Sequence, residues 1–125
     1  MDSSRTSVLC VGDLNADVTV TAPTGIAVGS DSPGSVTLAG GGSAANVAAW
    51  LAVNDTAVRF AGVVGDDLLG DFLVDDLDGR GVDTRVARRA GATSRAIAAI
   101  IEGDGDRSLV SDLNTATAFT DGDID

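Results

Sequence analysis

A chain of 125 residues, 44% of them hydrophobic, is long enough for one globular domain with a modest core. Its 19 acidic residues outnumber eight arginines, there is no lysine, and the net charge is -11. Such a charge argues against nucleic acids and anionic membranes as partners, and the missing lysine excludes a GxxxxGK[ST] phosphate-binding loop.

Histidine and cysteine are too scarce for several kinds of site. With no histidine and one cysteine, the chain cannot build a His/Cys metal cluster or a Ser-His-Asp triad. Cys10 lies in an apolar run and is predicted to be a buried small hydrophobe. Because the sequence has one cysteine, no disulfide can form within the chain. With no disulfide, no signal peptide and no long apolar run, the protein is expected to be cytoplasmic.

The amino-terminal part of the chain predicts strands that lead into a helix. The run SVLCV (7–11) is typical of a strand buried on both faces, and VTVTA (18–22) alternates with the period of a strand. Prolines and glycines in 23–34 indicate a loop, after which SVTLA (35–39) is a short strand. A helix follows through about residue 53, and Ser43 is predicted to cap it.

The remainder of the chain predicts one more helix among strands. Asp66 or Asp67 caps this helix, whose leucines and phenylalanine recur at helical spacing until GRG (79–81) ends it. The strand-like runs are AVRFAGVVG (57–65), VDTRVA (82–87), and a hairpin of SRAIAAIIE (94–102) and RSLV (107–110).

This order of elements predicts an α/β fold. Strands that alternate with helices are typical of a parallel sheet with helical layers. The two stretches of alternating strand, about 17–39 and 94–111, do not fit that layer and are expected to form a separate small sheet, a flap. In RAIAAIIE both faces of the strand are apolar, which predicts that a second sheet covers the flap.

The glycine turn in AGGGSAANVAAWLA (39–52) has two functional interpretations. Gly40, Gly42 and Ala45 satisfy the dinucleotide fingerprint G-x-G-x-x-G/A, but the acidic residue that this site needs comes only after a further glycine turn. Alternatively, Ser43 and Asn46 share one face of the first helical turn and, with the glycine amides, suit a small polyhydroxylated ligand. They could also simply satisfy unpaired helix amides.

A second polar cluster, in VGDLNAD (11–17), follows the first buried strand. Asn15 and Asp17 are two residues apart, so in an extended segment they point the same way. A carboxylate beside an amide can hold a diol through charge-assisted hydrogen bonds. The alternative is an Asx turn with a solvated carboxylate.

Together these stretches resemble the PfkB, or ribokinase-like, family of carbohydrate kinases. The matching pieces, which occur in the family's order, are VGDLNADVTV, AGGGSAANVAAWLA, FAGVVGDDLLGDFL, GRGVDT and AAIIEGDGDRSLV. The resemblance implies that residues 1–125 are the amino-terminal half of such a kinase. It also implies an α/β ribokinase-like sandwich with a small β-sheet lid.

The resemblance further implies phosphoryl transfer from ATP to a sugar hydroxyl. The residues that match the sugar site are Asn15, Asp17, Gly41, Gly42, Ser43 and Asn46. The complete enzyme would use ATP and Mg²⁺, but neither a catalytic residue nor a metal ligand is assigned within this chain, and the piece alone is expected to be inactive. In this family lids often clasp, which implies a homodimer through the lid.

Three departures from the family pattern bear on function. Ser43 stands where some members carry lysine, and Asn114-Thr115-Ala116 stands where the family often has Gly-Ala-Asn. Ser94 is a further candidate for a contact between lid and substrate. The Gly-Ala-Gly-Asp motif that supplies the catalytic aspartate is absent, and family members are longer. Two other functions remain as alternatives to a sugar kinase. The second interpretation is a non-catalytic sugar-binding module, and the third is a Rossmann-type cofactor domain.

Overall fold

A computed structural model describes residues 7–123 of the chain, which form two β-sheets and two helices. The elements in chain order are β1 (Ser7–Val11), β2 (Asn15–Ala22), β3 (Ser35–Gly41), α1 (Ser43–Val53), β4 (Ala57–Gly65), α2 (Leu68–Gly79), β5 (Asp83–Arg89), β6 (Ala96–Glu102), β7 (Arg107–Ser111) and a short 3-10 helix (Asp121–Asp123).

The first sheet is parallel, with the strand order β1-β4-β5, and carries both helices on one face. Helix α1 packs on β1 and β4, and α2 packs mainly on β5. Alternate strand residues, among them Cys10, Phe60 and Val64, meet Ala48 and Leu73 of the helices in one apolar core. The predicted α/β class is therefore confirmed, and Cys10 is buried as expected.

The second sheet has four strands in the order β3-β2-β6-β7. Strand β2 pairs antiparallel with β3 and parallel with β6, and β6 forms the predicted hairpin with β7. The two alternating stretches of sequence thus form a separate small sheet, as predicted. At its base, the Ala16 N–H donates to the Arg95 carbonyl at 2.9 Å.

The helix ends confirm one predicted cap and correct another. The Asp67 carboxylate accepts from the Gly70 N–H at 2.7 Å and caps α2. Ser43, by contrast, is the first residue of α1 rather than its cap, and the prediction is wrong. The capping position belongs to Gly42, whose φ of +106° places Ser43 already inside the helix.

Strand β1 is buried on one face only, which corrects the prediction for SVLCV. Leu9 and Val11 are 60% and 49% exposed, although Cys10 between them is buried. Within residues 7–123 no α-helix covers this second face of the three-stranded sheet, and only Phe119 and the short 3-10 helix after it border this face from the segment that follows β7. The apolar composition of β1 therefore anticipates a second covering layer that residues 7–123 do not supply.

Candidate functional site

The glycine turn closes directly onto the beginning of β2. Asn15 pairs with Gly41 in the β2–β3 register. The Asp17 carboxylate occupies the space that a side chain at Gly41 would need, and the Asp13 carbonyl blocks a side chain at Gly42. At Gly42 only glycine lets the two backbones approach so closely, whereas a side chain at Gly41 would displace the Asp17 carboxylate.

The first turn of α1 lies beside the same segment. A Cβ at Gly12 would come within 2.9 Å of the Ala44 Cβ, so the turn between β1 and β2 touches the start of the helix. The N–H donors in the first turn of a helix have no intrahelical acceptor. In α1 no side chain of residues 7–123 caps them either. Ser43 and Asn46 lie in that turn, and both are exposed.

Asn15 and Asp17 lie on one face of β2, as their spacing predicts. Asn15 is buried, with 5% of its surface exposed, and Asp17 is half-buried. Within residues 7–123 no group donates a hydrogen bond to the Asp17 carboxylate, so its acceptor positions are open to a ligand or to water. The Asx turn considered for this segment is not formed at Asp17, because this residue is already in β2.

A groove of about 360 Å³ separates α1 from α2 next to the glycine turn. Gly41 and Asn46 line it, together with the ion pair of Asp76 and Arg80, whose Oδ2 and Nε atoms are 3.2 Å apart. Asn46 and Gly41 therefore border the same groove. In the described part of the chain, however, no hydrogen bond links Asn46 or Ser43 to the carboxylate of Asp17.

The topology does not fit the dinucleotide interpretation of the glycines. That fingerprint requires a strand of a parallel sheet immediately before the glycine turn. Here the preceding strand, β3, pairs antiparallel with β2 and belongs to the second sheet.

Ser94 is not available to a substrate, which corrects its candidacy as a lid contact. Its side chain is buried, with 5% of the residue exposed. Its hydroxyl donates to Asp67 Oδ1 at 2.7 Å and accepts from the Gly65 N–H at 2.9 Å, while its own N–H donates to Asp67 Oδ2 at 2.8 Å. The sequence indicates Asp67 only as a helix cap. Its hydrogen bonds with Ser94, which is 27 residues further along the chain, have no local sequence signal.

The surroundings of Asp67 favour its charged form. Burial alone would raise the pKa of this carboxyl group. The hydrogen bonds from Ser94 and from the Gly70 N–H, together with the nearby Arg88 charge, outweigh burial and hold the pKa of Asp67 below its ordinary value.

The Asn114-Thr115-Ala116 segment forms a local turn. The Asn114 Oδ1 atom accepts from the Ala116 N–H at 2.9 Å, and its Nδ2 atom donates to Thr93 Oγ1 at 3.3 Å. Both contacts are internal to the loops that flank the four-stranded sheet.

Comparison with known proteins places these features in a family. Residues 5–124 match the pfkB family of carbohydrate kinases, and no curated protein matches the sequence. Among solved structures, the chain is similar to a carbohydrate kinase from Agrobacterium tumefaciens, with 25% identity and a TM-score of 0.76 over 85% of this chain. It is also similar to a fructokinase from Xylella fastidiosa with bound ATP, with 30% identity and a TM-score of 0.70 over 85% of this chain. A ribokinase from Cryptococcus neoformans in complex with ADP is 24% identical, with a TM-score of 0.70 over 90% of this chain, and supports the fold alone.

The chain spans 35%, 32% and 38% of those three structures, which is less than the expected half. No helix in the described part of the chain is long and apolar enough to cross a membrane.

The family match extends over nearly all of the sequence, and the two-sheet architecture agrees with it. The chain therefore belongs to the PfkB family of carbohydrate kinases and has a ribokinase-like fold.

Proposed function

We propose that this chain forms the sugar-binding part of an ATP-dependent carbohydrate kinase. The observation that carries the proposal is the half-buried Asp17 carboxylate, which lies against Gly41 and receives no hydrogen bond within residues 7–123. A carboxylate with open acceptor positions beside closely packed backbone binds neighbouring hydroxyl groups strongly, because such hydrogen bonds are charge-assisted.

The other site residues take complementary roles in this proposal. Asn15 shares the face of β2 with Asp17 and offers both a donor and an acceptor to the same sugar. The backbone at Gly41 and Gly42 forms one wall of the site. Ser43 and Asn46, with the uncapped N–H groups of α1, supply donors from the helix side.

ATP and Mg²⁺ belong to the complete enzyme in this proposal, and residues 7–123 do not fit either group. No cluster of three or more metal-ligating side chains occurs among them. The sequence also has no lysine to bind a phosphate and no Gly-Ala-Gly-Asp motif. We therefore assign no catalytic residue to this chain and derive no phosphoryl-transfer step from it.

We also propose that the protein is a cytoplasmic homodimer, joined through the four-stranded sheet. One face of this sheet is mainly apolar, and Val36, Leu38 and Val110 on it are 70%, 49% and 61% exposed. One row of this face consists of Val18, Leu38, Ala98 and Val110, and the next row consists of Val20, Val36, Ile100 and, at its edge, Ser108. A second copy of the same sheet would cover this surface.

The function is tested on the polypeptide that the gene encodes, with ATP, Mg²⁺ and a panel of pentoses, hexoses and keto-acid sugars. We expect ADP release that depends on at least one sugar, and binding of that sugar by calorimetry. Binding of a sugar without ADP release would instead favour a sugar-binding module. Absence of both binding and turnover would contradict the proposal.

A further inference from the structure

One of the three chain connections between the two sheets is the segment from β5 to β6. Strand β6 pairs with β2 along its whole length, and Ile97 lies opposite Asp17 in the register. Ser94 is two residues before β6. Ser94 therefore lies at the entry to the strand that pairs with the Asp17 strand.

A compact hydrogen-bond cluster holds Ser94 to the three-stranded sheet. The Asp67 carboxylate accepts three hydrogen bonds, from the Gly70 N–H at 2.7 Å and from the Ser94 hydroxyl and N–H at 2.7 and 2.8 Å. The hydroxyl of Ser94 in turn accepts from the Gly65 N–H at 2.9 Å. The end of β4, the start of α2 and the entry to β6 are thus joined at one partly buried point, where Ser94 is buried and Asp67 is half-buried.

Neighbouring contacts leave little room for this point to move. A Cβ at Gly65 would overlap the Ala92 carbonyl and come within 2.7 Å of the Ser94 nitrogen, so the two segments are closely packed. Arg88 bridges the same region, because it donates to the Asp71 carboxylate at 2.5 Å and to the Gly65 carbonyl at 3.4 Å.

We propose that Asp67 and Ser94 are positioning residues that fix the orientation of the four-stranded sheet relative to the three-stranded sheet, and so place Asp17 for sugar binding. The hydroxyl of Ser94 and both carboxylate oxygens of Asp67 make hydrogen bonds within this anchor, so we assign both residues to positioning rather than to contact with the sugar. The effect on sugar binding rests on the proposed function, whereas the effect on sheet orientation does not.

Sheet orientation is measured by the distance between two spin labels, in a background where the buried Cys10 is replaced by alanine. The labels are attached to Thr37→Cys in β3 and Asp75→Cys in α2, both at exposed positions. We expect Ser94→Ala and Asp67→Asn to broaden or shift the distance distribution. Thr93→Ala removes the neighbouring hydroxyl outside this cluster and should leave the distribution as in the parent protein.

The kinetic measurement compares sugar KM and kcat in the polypeptide that the gene encodes. We expect Ser94→Ala to raise the sugar KM about tenfold, equivalent to about 1.4 kcal/mol, with a smaller change in kcat. The double variant should cost little more than the worse single variant, because both residues act through one anchor.

The two measurements separate the possible failures. If the parent phosphorylates no sugar, the proposed function fails, and the distance distribution alone decides the anchor. A folded Ser94→Ala variant with the parent's distance distribution would overturn the proposal, as would a changed distribution with unchanged KM in an active enzyme. Should Ser94→Ala not fold, Asp67→Asn, which keeps the cap on α2, is judged by the same criteria.

Discussion

At the scale of single residues, the site depends on how closely Gly41 and Asp17 approach each other. The carboxylate lies where any larger residue at Gly41 would place its Cβ. Two residues from different strands, 24 positions apart, are therefore matched in shape. A larger residue at position 41 would therefore displace the Asp17 carboxylate.

Gly41→Ala is expected to weaken sugar binding. The added methyl group forces the half-buried Asp17 carboxylate to rotate aside, so the carboxylate leaves the position from which it would bind the sugar. The sugar KM should rise at least about tenfold, as a loss of about 1.4 kcal/mol implies. Gly79→Ala is the matched control, because no atom lies within 4 Å of its added Cβ. An unchanged KM for Gly41→Ala would show that the sugar does not depend on this contact.

Asp67 predicts a pH dependence of stability. Its pKa is lower in the folded chain than in the unfolded chain, so the unfolded state binds the proton more readily. The stabilisation is complete above the ordinary pKa of an unfolded aspartate and is lost as the pH falls through the lower pKa of the folded state. The difference in unfolding free energy between the parent and Asp67→Asn should therefore be larger at pH 7 than at pH 3. Urea denaturation at both pH values measures it, and a difference that does not shrink at low pH would contradict the assignment.

At the scale of elements, periodicity predicted most of the fold. Helices α1 and α2 and the β6–β7 hairpin follow from local spacing and turn residues. The parallel pairing of β2 with β6 could not be predicted as a register, because the two strands are about 80 residues apart and only the folded core brings them together. The residue type of Ser43 predicts a cap, but Gly42, with its positive φ, occupies the capping position.

The four-stranded sheet should join two copies of the protein. Leu38→Asp puts a charge on the apolar face and is expected to shift a dimer to monomer, since unpaired charge at an interface is costly. Thr37→Asp is the control, because the neighbouring residue of β3 points to the opposite face. Light scattering at tens of micromolar measures the mass. A parent protein that is monomeric there, or a dimer unaffected by Leu38→Asp, would contradict the proposed interface.

At the scale of the whole molecule, one face of the three-stranded sheet lacks a helical layer within residues 7–123. Leu9, Val11, Ala61 and Ala87 border a cleft of about 760 Å³ there. The solved relatives are about three times as long as the part that this chain matches. The sequence of β1 predicted burial on both faces, and composition alone could not show which elements would provide it.

The 125-residue chain by itself is expected to have no sugar-dependent ATP turnover. Phosphoryl transfer requires a positioned metal-bound nucleotide and a base. The described range has no group of three or more metal-ligating side chains, and the sequence lacks the Gly-Ala-Gly-Asp motif. Its exposed sheet face should also bind a hydrophobic dye and lower its resistance to urea. Sustained sugar-dependent ADP release by the purified chain would contradict this expectation.

The most direct test of the sugar site is the sugar affinity of Asp17→Ala in the polypeptide that the gene encodes, measured by calorimetry beside its melting temperature. Each charge-assisted hydrogen bond lost costs about 1.5–3 kcal/mol, so the affinity should fall at least about tenfold. Stability should change by less than about 1 kcal/mol, because no hydrogen bond within residues 7–123 ends on this carboxylate. Asp31→Ala, in the exposed loop between β2 and β3, should bind sugar as the parent does. An affinity of Asp17→Ala within about twofold of the parent's, a difference of about 0.4 kcal/mol, would contradict the account.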